Sequence, residues 1–229
     1  MCGRFILILE PGDFTDEFDL GGIPESYLPR YNIAPTQQVA VVHNAESRRV
    51  ELFRWGLIPS WAKDPTIGSR LINARAETLT EKPSFRNALR SRRNLILASG
   101  FYEWRAVTSL ANPQSKDKQP LYIHMNDRKP FTFAGLWEEW QSPRGELIRT
   151  TTIVTTSSNT LIQPFHNRMP VILDEDQRRM WLDPATQVQD ALKLLKPYPP
   201  ELMAYHSVSS LVNNPANDTP LCIQAVAGQ

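Results

Sequence analysis

The 229-residue sequence has little of what marks several classes of protein. It holds only two cysteines, Cys2 and Cys222, which are too few for a disulfide scaffold and lack the paired spacing of a zinc site. No apolar run is long enough to cross a bilayer, and the first residues turn acidic too early for a secretion signal. We therefore expect a soluble, intracellular protein with reduced thiols, no metal and no membrane partner.

An excess of charge of either sign is also absent. Lys and Arg total 25 against 24 Asp and Glu, so the net charge is +1. A net charge this close to zero does not indicate a nucleic-acid-binding protein, although it is compatible with a basic patch on one face. The clearest local bias lies in one basic stretch, Lys82, Arg86, Arg90, Arg92 and Arg93, where a solvated helix face is at least as good an interpretation as phosphate contact. No phosphate-cradling glycine loop or nucleotide-cofactor motif is visible, so we expect no cofactor.

Internal repeats and low-complexity segments are missing as well, and the 19 prolines are spread along the chain as turn punctuation. We therefore expect a single domain over residues 1–229. Runs rich in β-branched and aromatic residues predict strands, at Arg4–Leu9, Gln38–His43, Val50–Trp55, Asn94–Trp104, Leu121–Met125, Phe131–Trp137 and Ile148–Thr155. Helical periodicity and stop signals predict fewer helices, at Gly12–Phe18, Lys82–Ser91, Glu175–Leu182 and Thr186–Leu195. Polar segments at Ala106–Lys118 and Asn213–Thr219 predict exposed loops. The pattern indicates an α+β fold with a mainly antiparallel sheet core.

Cys2 carries the most unusual chemistry. An initiator Met before a small residue is normally removed, which would leave a free α-amine beside the thiol of Cys2. The amine titrates near about 8 and the thiol near about 8.5, so both can become nucleophilic at neutral pH. The amine can condense with an aldehyde to an imine, and the thiol can close onto the same carbon to give a thiazolidine. Taken alone, such a cysteine is more often a small buried apolar residue.

Six motifs bear on that choice: MCGRF at the start, RYNIAPTQ at 30–37, WGLIPSW at 55–61, LINARAET at 71–78, GFYEW at 100–104 and FHNRMPVIL at 165–173. In this order they resemble the signature blocks of the SRAP (SOS response-associated peptidase) family, and HSVSSLVNN near the end of the sequence is also similar. Six motifs in one shared order are very unlikely to arise by chance.

The resemblance implies a fold and an activity. The fold is a single compact α+β domain with curved, mainly antiparallel β-sheets, peripheral helices and a positively charged DNA cleft with the amino terminus at its floor. The activity belongs to the DNA damage response: sensing abasic sites in single-stranded DNA and trapping them as a thiazolidine crosslink through Cys2 after removal of Met1. This crosslink would shield the strand from cleavage. We expect a monomer that meets the replication machinery and is cytoplasmic, or nucleoid-associated in a bacterium.

Four positions match the family's catalytic residues: Cys2, Asn73, Glu103 and His166. Glu103 lies among aromatic residues, and partial burial there would raise its pKa toward the working range of an acid or base. His166 has a near-neutral pKa suited to proton transfer or to a hydrogen bond with the opened sugar. Asn73 offers both a donor and an acceptor that could orient the Cys2 amine and the sugar. Outside the motifs, Glu103 would be read as an ion-paired carboxylate and Asn73 as a turn residue.

Five further positions are predicted to bind DNA: Arg4, Asn32, Trp61, Arg75 and Arg168. Arg75 and Arg168 each lie two residues beyond a catalytic candidate, which on an extended strand puts both side chains on one face. Their guanidinium groups could hold phosphates flanking the lesion, and Arg4 could act likewise. Trp61 lies in a proline-flanked loop where it could stack on a base, whereas Trp55 is expected in the core. Asn32, with Pro35, matches positions that shape the pocket near the amino terminus.

Other activities stay open at this point. An imine intermediate would also permit abasic-site lyase activity, and Glu103 could assist reversal of the crosslink. Alternatively, Cys2 could be a peptidase nucleophile with His166 as its base, acting on the protein's own amino terminus. A third hypothesis is a non-catalytic module that binds single-stranded DNA through its arginines and tryptophans.

Overall fold

The computed structural model describes residues 2–9, 18, 20, 22, 24–43, 48–107 and 117–226. Apart from Phe18, the helix expected at Gly12–Phe18 lies outside these residues, as does most of the loop expected at Ala106–Lys118. Among the helices described, none is long and apolar enough to span a membrane.

Thirteen strands make up the two sheets in the described part of the chain. In chain order they are β1 Phe5–Leu7, β2 Arg30–Ile33, β3 Gln38–Val42, β4 Glu51–Trp55, β5 Asn73–Arg75, β6 Arg93–Ala98, β7 Gly100–Ala106, β8 Lys118–Met125, β9 Phe131–Gln141, β10 Leu147–Ser157, β11 Arg168–Pro170, β12 Ile172–Leu173 and β13 Met203–Ser207. The helices are α1 Arg86–Ser91, α2 Glu175–Leu182 and α3 Val188–Lys193, with short 3-10 turns at Pro65–Arg70, Ala76–Thr78, Pro200–Leu202, Ser210–Asn213 and Pro220–Ile223.

The first sheet is antiparallel throughout, in the order β13-β8-β7-β1-β2. Its strands follow the period-2 rule that sends alternate side chains to opposite faces. Phe5 and Leu7 of β1 join the large core between the sheets, while Ile6 joins a smaller core on the outer face. The outer core is closed by Val208, Val212 and Cys222 from the carboxy-terminal segment, defined here as residues 208–226.

The second sheet curls into a partial barrel. Its strands pair in the order β10-β4-β3-β6-β9, and β9 pairs with β10 to close the circuit. Two of its pairings are parallel, since β10 runs alongside β4 and then alongside β5. On its other edge β10 pairs with β9 and then with β11. The last residues of β10 therefore lie between β5 and β11, which places two of the sequence motifs next to each other.

The run Asn94–Trp104, expected as one strand, is two strands that belong to different sheets. The break comes at Ser99, whose hydroxyl donates to the Ile8 carbonyl and accepts from the Ile8 amide. β7 then starts at Gly100, where an added Cβ would lie 2.2 Å from the ring of Tyr122. The single-strand prediction was wrong because hydrophobic runs do not show where a strand leaves one sheet for another.

The helices lie outside the sheets. α2 matches its expected bounds and begins with a capping box formed by Asp174 and Gln177. It is held down by Trp181, which is fully buried and donates to the Asn94 carbonyl at 2.9 Å. The expected α+β domain with mainly antiparallel sheets and peripheral helices is thus confirmed, with the parallel pairings of β10 as an addition.

Candidate functional site

Cys2 is fully buried and belongs to the large core between the sheets. Its Sγ atom contacts the Arg4 carbonyl oxygen at 3.9 Å. Burial raises the pKa of the Cys2 thiol far above its ordinary range, and the negative charge of Glu103 raises it further. The thiol is therefore protonated at neutral pH.

Asn73 reaches Cys2 from the second sheet. It opens β5, whose parallel register pairs Asn73 with Ile153 of β10. The Asn73 Nδ2 atom donates to the Cys2 carbonyl oxygen at 2.8 Å. Its Oδ1 atom is buried and has no hydrogen-bond partner among the described residues. One end of this amide thus holds the amino-terminal backbone, and the other is an acceptor available to a ligand.

Glu103 is buried on β7, two residues after Phe101 and so on the same inner face of the strand. Burial raises the pKa of Glu103 to about 7, and the positive charge of Lys118 opposes part of this rise. A carboxyl group with this pKa is divided between its acid and base forms at neutral pH, as proton transfer requires. The expectation of a raised pKa is confirmed.

His166 follows a turn and is half-buried. Its Nδ1 atom lies 2.9 Å from the Arg168 amide nitrogen and 3.1 Å from the Arg168 carbonyl oxygen. Burial lowers the pKa of His166, which favours the neutral ring. Because an amide N–H can only donate, the neutral ring accepts at Nδ1 and carries its proton on Nε2. His166 is therefore prepared to donate a hydrogen bond.

The four catalytic candidates come from four separate segments. Direct contact links Asn73 to Cys2, and electrostatic interaction links Glu103 to Cys2. His166 is near enough to Lys118 for that charge to lower its pKa, as it does for Glu103. The fold thus brings Cys2, Asn73 and Glu103 together, and it places His166 within reach of the same Lys118 charge as Glu103.

Arg4 and Asn32 brace the amino-terminal strand against the carboxy-terminal segment. The Arg4 Nη1 atom donates to Asn32 Oδ1 and to the Val212 carbonyl, each at 2.7 Å. Asn32 is fully buried, and its Nδ2 atom lies within hydrogen-bond distance of the carbonyls of Val212, Asn214 and Asn217. DNA contact by these two residues stays a prediction, and such a contact would compete with these bonds.

Arg75 and Arg168 lie on either side of the end of β10. In the register, Arg75 pairs with Thr155, and Arg168 pairs with Ser157. Arg75 is exposed. The Arg168 guanidinium binds both carboxylate oxygens of Glu77, with Nη1 at 2.7 Å and Nη2 at 2.9 Å. DNA binding by this pair stays a prediction.

The two motif tryptophans differ in exposure. Trp55 is fully buried, as expected, and donates to the Ile72 carbonyl at 2.9 Å. Trp61 is 57% exposed. Its loop is held by Trp140, which donates to the Ala62 carbonyl at 2.7 Å. The loop therefore presents a large aromatic face to solvent, and base stacking on that face stays a prediction.

Sequence reasoning missed three residues of this region: Glu77, Trp104 and Lys118. Glu77 and Trp104 lie within quoted motifs, so motif membership was the signal that could have found them. The Trp104 indole donates to Asn213 Oδ1 at 2.8 Å and carries the Arg4 guanidinium over its ring at 5.9 Å. Lys118 lies in a segment without any such signal.

The basic stretch of the sequence divides by burial. Arg93 is buried and donates to the Trp181 and Asp183 carbonyls, each at 2.6 Å. Arg92 is paired with Glu138. Lys82, Arg86 and Arg90 are exposed. At least two of these five basic side chains, Arg92 and Arg93, therefore make contacts within the protein.

Two cavities, of about 430 and 310 Å³, lie beside α2, and none of the nine candidate residues lines either one. Within the described ranges no cluster of three or more His, Cys, Asp or Glu side chains is arranged to hold a metal ion.

Comparison with known proteins identifies the family of the chain and similar structures. Residues 1–215 match the family described as SOS response associated peptidase (SRAP). The abasic site processing protein YoqW of Bacillus subtilis is 44% identical over 229 residues, which cover 98% of this chain and all of that protein. The abasic site processing protein HMCES of Xenopus tropicalis is 32% identical, over 99% of this chain and 78% of its own. A crystal structure of a Bacteroides thetaiotaomicron protein superimposes with a TM-score of 0.82 at 26% identity, covering 99% of this chain and all of that one.

Proposed function

The chain belongs to the SOS response associated peptidase (SRAP) family, and on that premise we propose that it processes abasic sites in DNA by bonding Cys2 to the aldehyde of the opened sugar. The substrate is single-stranded DNA, and the product is a thiazolidine that shields the strand from cleavage. Its two named relatives, both abasic site processing proteins, support the substrate. The arrangement around Cys2 supports the chemistry.

The reaction balances without a cofactor. Removal of Met1 frees the α-amine of Cys2, which attacks the aldehyde carbon to give a carbinolamine. Loss of water from the carbinolamine gives an imine. The thiol sulfur then bonds to the imine carbon, and the thiol proton ends on the nitrogen. One water leaves in total, and no atom is oxidised or reduced.

The burial of the thiol sets the order of these steps. Because the pKa of Cys2 is raised, little thiolate exists before substrate binds. The amine therefore reacts first. Glu103, with a pKa of about 7, then takes the thiol proton as sulfur attacks. The single observation that carries the proposal is this pairing of a buried thiol with a buried carboxyl group at the amino terminus.

Asn73 and His166 position the reactants. The Asn73 bond to the Cys2 carbonyl holds the backbone from which both nucleophiles project. Its free Oδ1 atom accepts from the amine or from a sugar hydroxyl. The Nε2 proton of His166 is donated to the hydroxyl released when the sugar ring opens. The imine also permits β-elimination, so lyase activity accompanies the crosslink whenever the thiol is slow to close.

The testing experiment mixes Met1-processed protein with a single-stranded oligonucleotide carrying one abasic site. We expect a heat-stable adduct on a denaturing gel, with the summed mass less one water and with the DNA mapped to Cys2. Borohydride treatment should leave the adduct mass unchanged, because a thiazolidine, unlike an imine, has no C=N bond to reduce.

Three variants make the result specific. Cys2→Ser keeps the amine but removes the sulfur, so it should give only an imine. This imine is lost on heating unless borohydride has first reduced it to a stable amine. A protein with Met1 retained should give no adduct, because its Cys2 nitrogen is an amide. Cys222→Ala is the matched control for the second buried thiol and should react as the wild type does. A heat-stable adduct formed by Cys2→Ser without borohydride, or no adduct from verified processed protein, would contradict the proposal.

A further inference from the structure

The outward-facing edge of Arg168 is already occupied by Glu77. The two nitrogens Nη1 and Nη2 bind the two carboxylate oxygens in the parallel, bidentate geometry that arginine also uses for phosphate. Nη2 additionally donates to the Thr155 carbonyl at 2.6 Å, and Nε is buried. Anything that approaches Arg168 from solvent therefore meets the edge that Glu77 holds.

Glu77 is the exposed member of this pair. Its side chain is 53% exposed, against 15% for Arg168. The hydrogen bonds from Arg168 lower the pKa of Glu77, and the positive charge of Arg75 adds to this. The carboxylate is thus ionised at neutral pH, and both arginines assigned to DNA phosphates act on it electrostatically. Because its carboxylate is half-exposed to water, the pair is weak enough to be exchanged.

We propose that Glu77 determines the specificity of the site by holding the phosphate-binding edge of Arg168 in the DNA-free protein. This inference rests on the proposed function, since it takes Arg75 and Arg168 as phosphate ligands. A DNA phosphate must displace the Glu77 carboxylate before it can bind Arg168, so each non-covalent encounter is weakened. Intact single strands are then released, while a strand with an abasic site is retained by its covalent bond.

The test measures equilibrium binding of a fluorescent single-stranded oligonucleotide without an abasic site, at several salt concentrations. Removing the carboxylate charge in Glu77→Gln should tighten binding about two- to fivefold, the range expected for loss of one competing surface ion pair. It should also steepen the slope of log K against log salt by up to about 0.7, the value for one phosphate on a single strand, because no displaced carboxylate takes up a cation when DNA binds. Glu77→Asp keeps the charge and should bind as weakly as the wild type.

The matched control is Glu175→Gln, which removes the same charge from the exposed Arg179–Glu175 pair on α2. It should leave both affinity and slope unchanged. Thermal melting verifies that each variant is folded.

Weaker or unchanged binding by folded Glu77→Gln would overturn the inference, because it would mean that Glu77 only orients Arg168. Equal tightening by Glu175→Gln would overturn it too, because net charge alone would then explain the effect. These outcomes are separate from failure of the proposed function, which would appear as no adduct with an abasic oligonucleotide.

Discussion

Glu103 illustrates at the scale of one residue how a reactive site costs stability. Its pKa is about 7 in the folded protein, against an ordinary value of 4.5. The folded state therefore holds a proton that the unfolded chain has already released. The stability from the protonated form is complete below about pH 4.5 and is lost as the pH rises through 7.

Glu103→Gln should therefore stabilise the protein at pH 8, where it removes a buried charge, and have little effect at pH 5. A gain of about 2 kcal/mol would raise the Tm by roughly 4–8 °C for a chain of this size. Thermal unfolding at both pH values measures this. The same variant should form the adduct about 100-fold more slowly, since it cannot transfer a proton. Equal Tm changes at both pH values would show that Glu103 does not titrate in this range.

Asn73 acts through its donor atom on the Cys2 backbone. Asn73→Ala should slow adduct formation by about fivefold, the equivalent of one hydrogen bond of roughly 1 kcal/mol. Affinity for intact single strands should not change, because Asn73 touches no group assigned to phosphate. Single-turnover kinetics and equilibrium binding separate the two effects. Asn73→Asp, which keeps an acceptor but loses the donor, should also be slower than the wild type; a wild-type rate from it would refute the role given to Nδ2.

At the scale of elements, the amino-terminal strand is held by the carboxy-terminal segment, and Asn32 is the centre of that contact. Its amide serves Arg4 and three carbonyls of the segment. The Tyr102 hydroxyl lies 2.8 Å from the Tyr31 carbonyl oxygen and 3.3 Å from the Cys222 carbonyl oxygen of that segment. The position of Cys2 therefore depends on residues more than 200 positions away.

Asn32→Ala should lower the free energy of unfolding by about 2–4 kcal/mol, because it leaves several buried polar groups unpaired. It should also slow adduct formation at temperatures where the variant is fully folded. Asp174→Ala is a useful comparison, since it removes the α2 capping box at a cost of about 1 kcal/mol without approaching the site. Urea unfolding and adduct kinetics test both. If the two variants lost activity in proportion to stability alone, the bracing role of Asn32 would be excluded.

Sequence patterns predicted the long strands and α2 well, because the spacing of apolar residues within each of these segments is enough to show which type of element it forms. They missed β5 and β11, three residues each, because these strands exist only through pairing with β10. The division of Asn94–Trp104 at Ser99 was equally hidden, since both halves are apolar.

At the scale of the whole molecule, charge is nearly balanced, at +1. Long-range attraction to DNA is therefore weak, and under the proposed function binding would depend on local cations such as Arg75. For two to four phosphate contacts we expect a slope of log K against log salt of about −1.4 to −2.8 on intact single strands. Arg75→Ala should reduce its magnitude by about 0.7. A wild-type slope steeper than about −5 would instead indicate a much larger basic surface.

In the candidate site, individual residues could be predicted from the sequence, whereas their contacts with distant residues could not. Motif resemblance pointed to Cys2, Asn73 and Glu103, and the fold brings these three together. It pointed to Arg168 without its partner Glu77, which lies 91 positions away in the chain. Single residues can be carried over from motifs, whereas the ion pairs that modify them depend on the folded structure.

The burial of Cys2 also governs how the thiol meets oxidants. Peroxides attack thiolates in accessible positions and convert them to sulfenic and then irreversible sulfinic acids. A fully buried sulfur with a raised pKa offers neither the charge nor the access that this attack needs. In the proposed reaction, which consumes the Cys2 side chain, this burial would keep the sulfur reduced until an aldehyde reaches it.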